Sequence, residues 1–573
     1  MKKNIFQKIL SSKLLLVIGI LVFINIISSY VSGFIDLTAD KRFTLTEPTK
    51  NLVSNIDELV STKVYLVGDF PSGIMSLQEA TTDILKQFKK LNNNFIFDFD
   101  DPSAGSVEEV NARYKQLTKD GLNPTSLKVF DGSNYQQKVI FPYVTFQIGT
   151  RKVVVNLLEE QFAGQDEQEV LASSISLLEF KLSNALQKLL LSRKMNIVFT
   201  SGQGELPLQK TYSLERDLRK FYNTGRITLD SVLRIDSLVD LLMIAAPKSK
   251  FSLQNQFKID QYLMNGGKIL WLIEKMTASL DSIAKYQFYI PQDIVTDLDN
   301  MLFKYGAKVM PNLILDLECT SIPQIVGQSG DKPQTMMFKW PYHPVLASKS
   351  NHPVVKNIDR VNMYFPSEVD TIKTNIYSKK TFLLTTSNYS KTQFNPVRLN
   401  FEILKADPDP RLFNKPNIPV ALLLEGKFES FFKNRMTQDF STTLVRLNMK
   451  FKDESEPTRQ IIISDADFMS NLINSRTNEA EPLGFNKWEL KLYKGNKDFI
   501  MNAIEYLMDE KQILTARSKE IKLRPLDIIK VDEEKTFWQI FNVIMPLLIL
   551  TIFGLFFSYY RKRKYAQPIK FKK

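Results

Sequence analysis

The chain has 573 residues, with 75 lysines and arginines against 62 aspartates and glutamates, a formal net charge of +13. Eleven of the basic residues lie in the two ends, 1–35 and 561–573, and every acidic residue lies between them. The basic balance is therefore a membrane-topology signal and not a nucleic-acid footprint. The single cysteine, Cys319, excludes an intramolecular disulfide, and two histidines, His343 and His352, are too few for a histidine-rich metal centre.

Lys2, Lys3, Lys8 and Lys13 precede Leu14–Ile35, which carries no charge. This run is longer than the roughly 7–15 apolar residues of a cleavable signal, so an uncleaved anchor is favoured, with residues 1–35 as cytoplasmic tail and first span. Residues 36–165 read as a first external domain. Thr46 is placed to cap a helix running to about Leu59, with Glu47 and Pro48 in its first turn. Lys63–Val67 reads as a strand, Leu77–Leu91 as an amphipathic helix, Phe95–Phe99 as a strand and Val107–Lys119 as a helix. Leu127–Phe130, Gln137–Ile148 and Lys152–Asn156 read as strands, the last two joined through Gly149-Thr150. That order predicts a thioredoxin-like domain. The redox cysteines are missing, because Phe70-Pro71-Ser72-Gly73 stands in their place. Asn123-Pro124 stands where that fold often keeps a cis-proline. Asp98, Asp100 and Asp101 read as a solvated turn rather than a cation site.

Residues 166–192 read as a linking helix. Residues 193–320 alternate strands and helices in the manner of a Rossmann-like parallel sheet. Met195–Thr200, Leu241–Ala246 and Lys268–Ile273 are its strands; Tyr212–Phe221, Phe251–Met264 and Leu298–Tyr305 are its helices, the last capped by Gly306. Gly202-Gln203-Gly204-Glu205 follows the first of these strands, where phosphate loops sit. Pro207 replaces the third glycine of the dinucleotide fingerprint, and no GxxxxGK[ST] occurs in the chain. The loop is therefore read as a tight turn, with a ligand or partner contact as its functional alternative. Cys319 lacks the flanking glycines of a nucleophile elbow and is read as buried.

Residues 321–485 form a strand-rich extension, with strands at Val361–Phe365, Thr381–Thr385, Val420–Leu424 and Gln460–Ser464 and a proline- and charge-rich loop at Lys405–Pro419. Asp465-Ala466-Asp467 ends the last strand. A DxD pair can hold a divalent metal, but alone it reads as a turn and helix start. Both histidines precede proline and read as turn or edge-strand residues. In the juxtamembrane segment 486–535, a helix at Asn496–Met508 leads through Arg517, Lys519, Lys522 and Arg524 to a second span at 536–560. This span is uncharged, with Phe537, Trp538, Tyr559 and Tyr560 at its ends, and the basic tail 561–573 follows. Asn542, Pro546 and Gly554 suit a kinked helix docked on other membrane helices. Both termini are then cytoplasmic, with the body outside.

The chain resembles the GldG family, gliding-motility-associated auxiliary subunits of ABC transporters in Bacteroidetes. The resemblance rests on Asp36-Leu37-Thr38, Arg42-Phe43-Thr44-Leu45, Phe199-Thr200-Ser201-Gly202-Gln203-Gly204-Glu205, Gly266-Gly267-Lys268, His352-Pro353-Val354-Val355 and the C-terminal span. Gln203 stands where family members more often carry histidine. The resemblance implies an inner-membrane complex with ABC permease and ATPase subunits, a substrate-binding-like role with an undefined periplasmic ligand, no cofactor and no catalytic residues. The alternatives are a membrane-anchored periplasmic enzyme and a structural envelope scaffold.

Overall fold

A computed structural model of the chain describes residues 44–130, 135–159, 166–286, 288–329, 332–405, 407–436, 450–474, 476–509, 511–518 and 528–565, with 19, 20, 23, 438, 441, 442 and 444 besides. Most of the first predicted span, Leu14–Ile35, and the basic residues Lys519, Lys522 and Arg524 lie outside the described residues. The chain divides into two compact units, Met1–Glu520 and Ile521–Lys573.

The first part of the larger unit holds α1 (Glu47–Ser54), β1 (Val60–Val64), α2 (Ser72–Leu91), β2 (Phe95–Phe99), α3 (Val107–Lys119), β3 (Thr125–Phe130), β4 (Tyr135–Ile140), β5 (Tyr143–Ile148) and β6 (Arg151–Asn156). Four of these strands form a sheet in the order β2-β1-β5-β6, parallel between β1 and β2 and antiparallel elsewhere. The β5–β6 hairpin turns at Gly149-Thr150 as its sequence requires. Helix α2 recurs in apolar residues at helical spacing, and Ile74, Leu77, Leu85 and Phe88 are all buried. Each such side chain contributes roughly 1.5–3 kcal/mol by leaving water. A capping box closes the start of α3, where the Ser106 side chain and Glu109 satisfy each other's backbone N–H groups.

Four local expectations need correction. Helix α1 stops at Ser54, and the first strand starts at Val60 rather than Lys63. The strand expected over Gln137–Ile148 is two, because Pro142 has no N–H to continue the ladder. Among the described residues the cis peptide bond is Asn395-Pro396 and not Asn123-Pro124.

Helix α4 (Glu167–Leu190) buries Leu178, Leu182, Ala185, Leu186 and Leu189 and is itself part of the main core. Beyond it lie β7 (Asn196–Ser201), α5 (Leu208–Leu218), β8 (Asn223–Thr228), β9 (Leu241–Ala245), α6 (Leu253–Met264), β10 (Lys268–Leu272), α7 (Leu280–Tyr286) and α8 (Asp299–Tyr305). Next come β11 (Asn312–Asp316), β12 (Cys319–Ser329), β13 (Lys332–Leu346), β14 (Ser378–Thr385), β15 (Ser390–Phe394), β16 (Pro419–Gly426), β17 (Thr458–Ile463) and α9 (Lys494–Met508). The central sheet has seven strands in the order β14-β16-β17-β10-β9-β7-β8. The five strands from β17 to β8 are parallel, and β16 and β14 add an antiparallel edge.

Both faces of the sheet are covered at its centre, which is why β9 is apolar and buried throughout and β10 from Ile269 onward. Met243, Leu270, Leu272, Ile461 and Ile463 face one core with Leu214 of α5 and Phe499 of α9. Leu242, Ile244, Ile269, Trp271 and Ile462 face the other with Phe257, Ile259 and Leu263 of α6. The period-2 alternation of strand side chains divides the residues between the faces. Strand β8 breaks the pattern: it is half-exposed at the sheet edge and reads NTGRIT, so its sequence carried no apolar signal. The long hairpin of β12 and β13 was also not anticipated, because prolines at 323, 333, 341 and 344 interrupt it.

Candidate functional site

In chain order the five parallel strands are arranged 2-1-3-4-5, and the order reverses between β7 and β9. Sheets of this kind bind ligands outside the carboxyl ends of their strands, at that reversal. The sequence places its polar residues there. Ser201 and the Gly202–Glu205 loop leave β7, Lys248 follows β9, Glu274 follows β10, and Asp465 and Asp467 follow β17.

The Gly202–Glu205 loop is a tight turn fixed by its backbone. Gly202 has φ +109° and Gly204 φ +81°, values that L side chains rarely adopt. A Cβ on Gly204 would sit 3.1 Å from Cβ of Lys248. The Gln203 carbonyl accepts from the N–H groups of Lys248 (2.8 Å) and Ser249 (2.9 Å), and Leu206 N–H donates to the Ala245 carbonyl at 2.9 Å. These bonds lock the β7 loop to the β9 loop across the reversal. Gln203 is buried; its N–H donates to Glu205 Oε2 at 2.8 Å, and its Nε2 donates to Asp230 at 3.4 Å. Gln203 Oε1 and Glu205 Oε1 are buried with no protein partner among the described residues.

The DxD pair divides its labour. Asp465 is buried and bound by backbone, accepting from Tyr364 N–H and Asp467 N–H at 2.7 Å each. Its carboxyl is raised well above the usual range, first by burial and then by the charge of Asp467. Asp467 instead opens to water inside a cleft, yet protein surrounds it closely enough that desolvation raises its carboxyl, against the pull of Lys210 and Lys248. Glu274 is half-buried, and desolvation together with the charges of Asp467 and Asp465 pushes it well up, against a smaller pull from Lys248. The Gly202 loop and Asp467 are not in direct contact. Their strands are three places apart, roughly 14 Å at the usual strand spacing, with Lys248 and Glu274 between them.

The cleft beside Asp467 encloses about 160 Å³ and is lined among others by Lys210, Ser279, His343, Tyr364 and Trp488. His343 is on β13, fully buried, and not the turn or edge residue its Pro344 neighbour implied. Both ring nitrogens lack a protein partner among the described residues, and burial holds its pKa down at about 3, so the imidazole is neutral. It meets Tyr364 and Phe365 edge-on, with ring centroids 4.9 Å away in each case. Lys210, Lys248, Glu274 and His343 were not singled out as site residues from sequence. Glu274 had the plainest signal, an acid immediately after an apolar strand at the edge where ligands bind.

This arrangement can bind a small polar molecule through carboxyl, ammonium and imidazole groups. Among the described residues no hydroxyl is hydrogen-bonded to His343 there, since neither of its ring nitrogens has a partner. Cys319 is half-buried rather than buried, and desolvation still pushes its thiol up to about 12, so it is protonated. His352 accepts from Val354 N–H at 3.3 Å through Nδ1, and so serves its own turn. Among the described residues, no three His, Cys, Asp or Glu side chains group closely enough to hold a metal ion.

In the second unit, helix α10 (Ile528–Tyr565) contains Glu534–Lys564, long and apolar enough to cross a membrane, with Asn542, Pro546 and Gly554 inside it. Pro546 has no N–H, so the carbonyl of Asn542 one turn earlier lacks its helical donor.

These features define an α/β protein with a polar cleft at the carboxyl edge of a mainly parallel sheet and a C-terminal apolar helix. Residues 194–503 match the family model described as an ABC-type uncharacterized transport system, and the chain belongs to this ABC-transport auxiliary family. Residues 39–147 match a domain of unknown function. An uncharacterized protein of Borreliella burgdorferi is 25% identical over 98% of this chain and 99% of its own length. The solved mmIFT52 N-terminal domain aligns over 57% of this chain and all of its own, at 13% identity and a TM-score of 0.30.

Proposed function

We propose that this chain is a non-enzymatic, membrane-anchored auxiliary subunit of an ABC transporter. It works beside permease and ATPase subunits and presents residues 36–535 outside the inner membrane. The observation that carries the reading is an auxiliary-family match across the sheet body in a chain whose C-terminal helix also holds an uncharged stretch, Thr536–Tyr560, long enough to cross a membrane. The chain has no phosphate loop of its own, which fits a subunit that relies on a separate ATPase. The β2-β1-β5-β6 sheet supports a thioredoxin-like first domain (36–165), joined by 166–192 to a Rossmann-like second domain (193–320) with its extension (321–485). The basic clusters at both ends support two spans with cytoplasmic termini. On this reading the protein is GldG-like and serves gliding motility in a Bacteroidetes host. The carboxyl-edge cleft around Lys210, His343 and Asp467 receives a small polar ligand, with the Gly202–Glu205 loop as a separate ligand or partner contact on the same edge.

The test is affinity purification of the full chain from membranes in mild detergent, followed by mass spectrometry. Stoichiometric recovery of an ABC permease and its ATPase is expected. Recovery of the chain without either, from membranes that contain both, would overturn the reading. Saturable binding of ATP to the purified chain would favour the enzyme alternative.

A further inference from the structure

A second cavity has a lining of its own, although Leu483 and Lys497 adjoin Gly484 and Asn496 of the first cleft. It encloses about 670 Å³ between α4, α5 and α9, beside the residues that follow β6. That volume is in the range of small-molecule sites, about 300–1,000 Å³. Val155, Phe180, Leu483 and Met501 supply apolar wall.

The charged lining is unbalanced. Glu159 is shared by Lys181 (2.6 Å) and Lys494 (3.7 Å). Asp217 is shared by Lys220 (2.9 Å) and Lys497 (2.8 Å). Lys188 pairs with Glu505 at 2.6 Å, and Arg517 with Asp498 at 3.2 Å. Arg216 is a seventh cation, against four carboxylates. The Nε of Arg517 is buried with no partner among the described residues. The excess acts on its neighbours. Burial alone would raise Glu159, but Lys181, Lys494 and Arg517 hold it down at about 2. Lys497 and Lys220 likewise overcome desolvation and lower Asp217. A buried apolar wall with surplus positive charge is complementary to a molecule with a hydrocarbon body and one anionic end.

We propose that this cavity binds an anionic amphiphile, a phosphate or carboxylate headgroup on a hydrocarbon chain. The cations face the head, and the Phe180–Met501 wall takes the chain. Because the wall joins β6 and α4 to α5 and α9, an occupant stiffens the packing of the first sheet against the central one. The site does not depend on the carboxyl-edge cleft or on its ligand.

The probe is octyl phosphate, titrated by calorimetry into the full chain in phosphatidylcholine nanodiscs, with heats from empty nanodiscs subtracted. Inorganic phosphate and octyl glucoside serve as the two half-ligands. Arg216→Glu with Lys220→Glu reverses two exposed cations at the rim, and Met501→Trp fills the apolar side. Saturable binding of octyl phosphate is expected, at least tenfold tighter than either half-ligand and at least tenfold weaker in both variants. Circular dichroism melting confirms that each variant is folded. An absence of saturable binding, or equal binding of octyl glucoside or of inorganic phosphate, would overturn the proposal. So would undiminished affinity in the folded variants. The same chain tested for permease recovery and for cleft ligands keeps this outcome separate from the proposed transporter role.

Discussion

Replacing Glu274 by glutamine should stabilise the protein at high pH and leave it unchanged at low pH. Glu274 is disfavoured as an anion by burial and by Asp467 and Asp465, and Lys248 offsets only part of this. Its folded-state pKa is raised, so the folded state binds the proton more tightly than the unfolded chain. Stability from this group is therefore present below the unfolded carboxyl value, about 4.3, and is lost as pH rises through the folded value. A glutamine side chain has the same shape and never ionises. Relief of one unfavourable charge is typically worth about 0.5–2 kcal/mol. For a body of roughly 470 residues, an unfolding entropy of about 2.1 cal/mol/K per residue makes 1 kcal/mol close to 1 °C in Tm. E274Q should thus raise Tm by about 0.5–2 °C at pH 8 and by nothing measurable at pH 4, read by scanning calorimetry at both pH values. A Tm that falls at pH 8, or that rises equally at both, would refute the placement of Glu274 in a repulsive carboxylate row.

His343 is held neutral by burial down to about pH 3, so it withdraws stability as pH falls from its unfolded value near 6.5. His343→Leu should flatten acid denaturation between pH 6 and 4, by on the order of 2 kcal/mol at pH 4.5, in urea titrations at each pH. Gly204→Ala places a side chain on a φ of +81° and 3.1 Å from Lys248. It should cost about 1–2 kcal/mol in the same assay, whereas Gly225→Ala, where nothing lies within 4 Å of the added methyl, serves as the mild control. Asp260→Leu should destabilise by about 3 kcal/mol or more, because Ser430, Phe431, Tyr305 and Gln261 all donate to that carboxylate at 2.7–2.9 Å. Replacing Thr536–Tyr560 with an unrelated membrane helix should keep membrane insertion and lose permease recovery, since Asn542 and Pro546 leave polar groups that neighbouring helices can satisfy.

The sheet was legible where both of its faces are buried. Leu241–Ala245 and Ile269–Leu272 are continuous apolar runs, the first followed by a helix of clear period, and both strands fall within two residues of their predicted limits. What was illegible follows from exposure and from distance in sequence. Strand β8 is an edge strand with almost no apolar residues, and β13 is broken by three prolines. The site had a second difficulty. The Gly202 loop and Asp465-Ala466-Asp467 were visible as strand ends, but nothing local indicated that they belong to one sheet edge. The pairing of β10 with β17 joins residues about 190 apart, and only that pairing puts Glu274 beside Asp467.

The insertion between β10 and β17 explains why the edge is a cleft and not an open groove. A parallel sheet would ordinarily pass from β10 to its next strand in one short crossover. Here residues 273–457 intervene and send β13 back over the carboxyl edge, carrying Tyr342, His343 and Trp340. Tyr364 N–H then donates to Asp465, which ties the insertion to the strand end that follows it. Asp465 is therefore a fastener and Asp467 the exposed group beside it, although the two look equivalent in sequence. Substitution of Asp465 should loosen the insertion and disturb His343 with it. Substitution of Asp467 should leave the fold intact and remove only a charge from the cleft.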